Sequence, residues 1–215
     1  RGYSGLDLAR LLLKHPNAEL SVCFAGESSF QLADYLPESV AKNISVKSLA
    51  EMPAMLASLD TVFLATPAEV SLELAPKILE AGVNVIDLSG AFRLQNGSDE
   101  ECKALYKKWY QMEHSAPALL REAVYGLRPF TTKQGKLTAN PGCYATAILM
   151  ALTPLLQAGL IDASSLVIDA KSGTSGAGRK AAENLLFTEV DGECLPYRVG
   201  KHQHLPEICA HAAAL

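Results

Sequence analysis

In the stretch "ANPGCYATAILMALTPLLQAG", residues 139–159, a single thiol, Cys143, stands between a Pro-Gly pair and a long apolar run. Pro141 fixes its own φ and biases Asn140 toward an extended conformation, Gly142 permits a tight turn, and good helix formers follow. Cys143 is therefore expected at or just before a helix N-terminus. Unpaired backbone N–H groups and the positive end of the helix dipole favour a thiolate there, which makes a cysteine nucleophilic near neutral pH. The same place also suits a small buried hydrophobe, as free cysteines often are. A nucleophile needs a base, and "VGKHQHLPEI" sets His202 and His204 two residues apart, so that on extended backbone both rings point to one face. No third ligand at familiar spacing accompanies them, so the pair reads as a base for Cys143 and not as a metal site. Pro206 can open a helix with Glu207 in its first turn, which anchors His204 better than His202. His204 is the expected acid/base, and His202 a neighbouring or substrate contact.

Anion-binding candidates surround these residues in the sequence. "DLSGAFR", residues 87–93, ends a strand with Ser89, a glycine and Arg93, which is either an anion anchor or half of a surface salt bridge. "SGTSGAGRK" has Gly173 and Gly178 at the spacing of a phosphate loop, but Arg179 and Lys180 occupy the positions where that loop needs Lys and Ser/Thr. A nucleotide P-loop is not expected; backbone N–H groups with Arg179 as a bidentate partner can still cradle an anion. At the start, "RGYSG" supplies Gly2 and Gly5, the second half of a dinucleotide-binding fingerprint, in which Gly2 admits a pyrophosphate and Gly5 allows close helix packing. "CFAGESS" has no acid at the strand tip to claim a ribose hydroxyl, whereas Ser28 and Ser29 can accept a 2′-phosphate, so NADP is favoured over NAD; a plain polar loop is the alternative.

The elements that must hold these residues alternate. Leu6–Lys14 reads as a helix with apolar Leu8, Leu11 and Leu12, followed by a strand in "AELSVCFAG". "LDTVFLATP" is a buried strand, Val70–Ala81 a helix stopped by Gly82, and "VNVIDLSG" another strand. Residues 94–122 read as helical, with Tyr106, Trp109 and Tyr110 as packing residues. "SSLVIDAKSG" reads as a strand, with a helix from Lys180 to Phe187 beyond it. This alternation implies a parallel sheet covered by helices, and the opening turn, having no strand ahead of it, implies a missing first strand. The 215 residues, 49% hydrophobic and 20% charged, can bury a core, and a net charge of −4 with scattered basic residues lacks the footprint of a nucleic-acid binder. No apolar run reaches the ~20 residues of a membrane span. Five cysteines without a CxxC pair point to a reducing compartment.

Taken in order, "RGYSG", "FLATP", "DLSGAFR", "VYGL", "NPGCYATA", "SGTSGAGR" and "HQHLPEI" resemble the N-acetyl-gamma-glutamyl-phosphate reductases, within the aspartate-semialdehyde dehydrogenase superfamily. The resemblance covers nearly the whole chain, and its most diagnostic part is Pro141 to Thr146 with Pro154 downstream. It implies a Rossmann-type doubly wound sheet over residues 1–139 that binds NADP, followed over 140–215 by the start of an α+β catalytic and dimerisation domain, with the chain truncated at both ends. It also implies a thioester on Cys143 with His204 or His202 as acid/base. Gly2, Tyr3, Ser4, Gly5, Ser28, Ser29, Thr66, Pro67, Ser175 and Gly176 would face the cofactor. Ser89, Arg93, Asn140, Arg179 and Glu207 would face an acyl-phosphate substrate. The implied protein is a cytoplasmic homo-oligomer, dimer or tetramer, of arginine biosynthesis, acting without metal, membrane or nucleic acid. The other acyl-phosphate reductases of the superfamily, a Cys-His hydrolase and a non-catalytic domain are the competing readings.

Overall fold

A computed structural model describes residues 2–26, 31–36, 44–95, 97–128 and 130–213. The chain divides into two compact units, Arg1–Leu59 with Ser172–Glu193 and Asp60–Lys171 with Cys194–Leu215.

In the first unit, α1 (Tyr3–Leu12) starts from an extended Gly2. Its inward seam is Leu6 and Ala9, continued by Leu13 and packed with Leu32, Leu36, Leu20 and Val46. Leu11, one of the apolar residues that marked this helix in the sequence, is 69% exposed. The seam follows i, i+3, i+7 spacing, which Leu6, Ala9 and Leu13 satisfy. β1 (Val22–Ala25) runs parallel to β2 (Ser45–Ser48), with Val22 opposite Ser45, and α2 (Met52–Met55) follows.

The second unit is built on a four-stranded, wholly parallel sheet in the order β3-β4-β6-β5. β3 (Thr61–Leu64) leads to α3 (Ala68–Glu80), whose Leu72, Ala75 and Ile78 are buried. Gly82 stops the chain at φ 84°, a left-handed conformation that glycine adopts without strain, and β4 (Asn84–Asp87) begins. α4 (Asp99–Tyr110) is opened by a reciprocal cap between Ser98 and Glu101. Tyr106 is fully buried, its hydroxyl donating to the Gly90 carbonyl and accepting from the Leu94 N–H. α5 (Pro117–Glu122), β5 (Val124–Tyr125), β6 (Leu137–Ala139) and α6 (Cys143–Gln157) follow.

Two sequence expectations fail next. No strand forms over residues 164–173; Ala163–Ser165 is a single 3-10 turn and Val167 is 93% exposed. Nor does a helix run from Lys180, since Glu183–Leu185 is again 3-10 and α7 is only Phe187–Val190. An apolar run becomes a strand only beside a ladder partner, and among the described residues this one has none. α8 (His204–Ala212) then completes the second unit. Ile208 and Ala212 of α8 pack on Tyr125, Leu127, Ala145 and Leu149, which fixes α8 across the start of α6.

Because all four strands of the second unit are parallel, their carboxyl ends share one edge. Ligands of open α/β sheets bind at this edge.

Candidate active site

The strand tips are tied together by buried polar groups. At the end of β4 the Asp87 carboxylate, wholly buried, accepts from the Ser89 N–H at 3.0 Å and the Ser89 hydroxyl at 2.8 Å. Burial raises its carboxyl above the ordinary range against those hydrogen bonds. Thr66, just beyond β3 and next to Pro67, shares a 2.8 Å hydrogen bond with the Ser71 hydroxyl. Arg93 is buried: its Nη2 donates to the Leu88 carbonyl at 2.6 Å and its Nε to the Asn140 carbonyl at 2.8 Å. The guanidinium therefore braces the β4 tip against the β6 tip.

Asn140 donates its N–H to the Asp87 carbonyl at 2.8 Å, so the ladder continues one residue past β6 before Pro141 and Gly142 turn the chain into α6. Cys143 is the first residue of that helix and is exposed. Gly142 is needed for a specific reason. Its φ of −66° is open to any residue, but a Cβ there would stand 2.3 Å from His204 Nε2. Gly142→Ala is expected to displace the His204 ring and to lower turnover at least ~10-fold while leaving cofactor affinity within a factor of two, as read by steady-state kinetics beside a cofactor titration.

His204, the first residue of α8, is buried, and its Nδ1 has no hydrogen-bond partner. Burial first, then the charges of Arg93 and Arg198 and the neighbouring His202 ring, hold its pKa down to about 4, so the ring is neutral near pH 7. His202 is half-buried; its Nδ1 accepts the His204 N–H at 3.2 Å and its Nε2 lies 3.3 Å from the Tyr197 hydroxyl. Burial, then Arg198, lowers its pKa as well. Tyr144, next to the cysteine, stands edge-on to both rings, at 5.2 Å from His202 and 6.1 Å from His204. Tyr197 lies 5.5 Å from His202, and burial pushes its phenol up to about 12.

Glu207, one turn beyond His204, has no solvent exposure. Its Oε1 accepts both the Gly142 N–H and the Tyr125 hydroxyl at 2.8 Å, and its Oε2 lies 3.7 Å from Arg93 Nη1. Burial raises its carboxyl, opposed by Arg93, Gly142 and Tyr125. Removing one partner of such a buried pair strands a charge, so Glu207→Ala is expected to cost about 3–5 kcal/mol in a denaturant titration. The structure thus gathers Cys143, His202, His204, Ser89, Arg93, Asn140, Glu207, Thr66 and Pro67 within the second unit. It adds Tyr125, Tyr144, Tyr197 and Asp87, of which Tyr125, Tyr144 and Asp87 lay inside quoted motifs without being singled out and Tyr197 lay in none.

The remaining candidates lie in the first unit. Gly2, at the start of α1, has nothing within 4 Å of where a Cβ would stand, and no side chain caps the helix. An uncapped, open helix start of this kind fits the pyrophosphate of a dinucleotide. Tyr3, Ser4 and Gly5 form its first turn. Ser175 and Gly176 lie in the 3-10 turn Thr174–Ala177, and the Arg179 guanidinium packs 4.8 Å above the Tyr3 ring and 5.7 Å from that of Tyr35. Arg179 thus sits with the glycine turn of its own unit. Ser28 and Ser29 are outside the described residues. Among the described residues no group of three or more His, Cys, Asp or Glu is placed to hold a metal ion, and no helix is long and apolar enough to cross a membrane.

A family model described as the NAD binding domain of semialdehyde dehydrogenase matches residues 1–137. The chain belongs to the semialdehyde dehydrogenase family. The semialdehyde dehydrogenase dimerisation domain matches residues 143–215, so that second match begins at Cys143 itself. Similar curated proteins are named N-acetyl-gamma-glutamyl-phosphate reductase. The one from Janthinobacterium sp. (strain Marseille) is 43% identical over 96% of this chain and 59% of its own length. That from Geobacillus stearothermophilus is 44% identical over 96% of this chain and 59% of its own. The chain spans about six-tenths of the length of the curated relatives it matches. A solved aspartate semialdehyde dehydrogenase II from Vibrio cholerae, in complex with ASA, is 20% identical over 72% of this chain and 42% of that one, at a TM-score of 0.44. The parallel sheet is what the alternation of elements implies, and an NAD-binding domain followed by a dimerisation domain is what the family resemblance implies.

Proposed function

We propose that the protein reduces N-acetyl-L-glutamyl 5-phosphate to N-acetyl-L-glutamate 5-semialdehyde with release of phosphate, using NADPH, as a step of arginine biosynthesis. The observation that carries this reading is the exposed Cys143 at the head of α6, with neutral His204 Nε2 directed at Gly142, the residue before it. The names of the curated relatives supply the substrate. In the first half-reaction Cys143 Sγ bonds to the acyl carbon and the carbon–oxygen bond to phosphate breaks, giving a thioester and free phosphate. His204 accepts the thiol proton at Nε2 during this attack. The backbone N–H of Cys143, free at the helix start, stabilises the oxyanion. When bound, the reduced nicotinamide supplies a hydride to the thioester carbon. The carbon–sulfur bond then breaks to release the aldehyde, and the sulfur takes its proton back from His204 Nε2, restoring the thiol and the neutral imidazole.

His202, fastened through both ring nitrogens, serves as a substrate contact beside Ser89, Asn140 and Arg93, with Glu207 supporting the turn from below. Gly2 to Gly5, Ser175 and Gly176 hold the cofactor, with Thr66 and Pro67 as further contacts; Arg179 serves an anionic group. In this reading residues 1–139 form the NADP-binding domain and residues 140–215 the catalytic domain, with Ser175 and Gly176 of the latter serving the cofactor and Ser89 and Arg93 of the former serving the substrate. The dimerisation-domain match favours a homo-oligomer, and five cysteines, none of them in a disulfide, suit the reducing cytoplasm. NADPH is expected to exceed NADH by at least ~10-fold in kcat/KM, about 1.4 kcal/mol, which one or two charge-assisted hydrogen bonds from Ser28 and Ser29 can provide. The reading is tested by following NADPH oxidation with N-acetylglutamyl phosphate beside aspartyl phosphate and N-acetyl-aminoadipyl phosphate. Turnover confined to either of the last two would reassign the substrate.

A further inference from the structure

Four groups in the second unit connect the body of the sheet to the start of the Cys143 helix, and the mechanism above uses none of them at a reacting atom. Tyr125 is the last residue of β5, and its hydroxyl donates to Glu207 Oε1 at 2.8 Å. The same oxygen accepts the Gly142 N–H at 2.8 Å. The ring of His211, two turns along α8 from His204, stacks on the Tyr125 ring with centroids 3.4 Å apart and planes 11° from parallel. His211 Nε2 in turn lies 3.1 Å from the Arg93 carbonyl. Tyr125 is 8% exposed and Glu207 wholly buried, so water cannot replace a lost partner without opening the site.

We propose that Tyr125 is a positioning residue for Cys143: its hydroxyl, held in register by the stacked His211 ring, fixes the Glu207 carboxylate that anchors the Gly142 N–H at the start of α6. Glu207 sits on the same helix as His204, so the arrangement also sets nucleophile and base relative to each other. Without the hydroxyl, Oε1 loses one of two donors, and the carboxylate holds Gly142 less firmly and takes up a proton more readily. Tyr125 is one of the groups that lower the Glu207 pKa against burial. The charged or titratable groups facing Glu207 are Arg93 from the β4 tip, Tyr110 from α4 and Tyr125 from β5, with His204 and His211 on its own helix.

This inference rests on the reductase reading for its kinetic arm but not for its structural one. In the full-length protein, Tyr125→Phe keeps the ring and the stack while removing the hydroxyl. Hydrogen exchange followed by mass spectrometry is expected to show the peptide containing Gly142 and Cys143 exchanging at least ~5-fold faster, with the α3 peptides unchanged as the control for general loosening. The acid limb of kcat is expected to move up by at least ~0.5 pH unit, with KM for N-acetylglutamyl phosphate within about twofold. Unchanged protection at Gly142 would overturn the proposal. Should Tyr125→Phe not fold, His211→Leu, which keeps the hydroxyl and removes the stacked ring, must give the same changes in smaller measure, and wild-type protection there overturns it equally. Absence of turnover in the wild type would remove the reductase reading and leave the exchange comparison to decide this one.

Discussion

Cys143→Ser is expected to lower kcat by about 10⁴-fold or more while the protein still folds and still binds NADPH. Serine preserves the size of the side chain and its place at the start of α6, but its hydroxyl is a poor nucleophile and an acyl ester is a poor hydride acceptor. His204, whose basicity burial lowers, is too weak a base to activate an alcohol as it assists the far more acidic thiol. The measurement is NADPH oxidation in the presence of N-acetylglutamyl phosphate, with cofactor binding followed by fluorescence as the control for folding. A loss of less than tenfold would mean that no covalent intermediate passes through this residue.

His204→Asn is expected to lower kcat by ~10²-fold or more, while His202→Asn mainly raises KM. The asymmetry follows from the partners each ring has. His202 is fastened through both nitrogens, to the His204 N–H and to Tyr197, whereas His204 Nε2 abuts Gly142. The same residue carries a pH signature in stability. Its folded value of about 4 lies below the ordinary 6.5, so between those limits the unfolded chain binds more protons. Stability is therefore present above about pH 6.5 and lost as pH falls toward 4. Asp87 and Glu207, whose values are raised by burial, act in the opposite direction in acid. In thermal unfolding across this range His204→Asn is expected to flatten the decline toward acid; an unchanged profile would remove His204 from it.

The parts of this site that were legible in the sequence are the local ones. Pro141 and Gly142 marked the start of α6 because their backbone restrictions act within two residues, and Pro206 marked α8 in the same way. That Gly142 must be glycine was not legible, since the ring that forbids a Cβ comes from His204 on another helix. Nor was the burial of Arg93, which the sequence left as either an anion anchor or a surface salt bridge. Its neighbours, Asn140 and Glu207, reach it only once β4, β6 and α8 have assembled. The Glu207 hydrogen bonds span 65 residues to Gly142 and 82 to Tyr125, beyond the reach of any periodicity. The strand expected over 164–173 failed for a related reason: a pattern in one segment cannot supply the second segment against which it would pair.

The account's central claim is that Cys143 carries the acyl group. Mixing the full-length protein with N-acetylglutamyl phosphate in the absence of reduced cofactor, then quenching in acid and analysing the digest by mass spectrometry, tests it directly. The account predicts a burst of about one phosphate per active site and an N-acetylglutamyl adduct on the peptide containing Cys143, discharged on adding NADPH. A phosphate burst with the adduct on another cysteine, or turnover with no adduct under any quench, would contradict it.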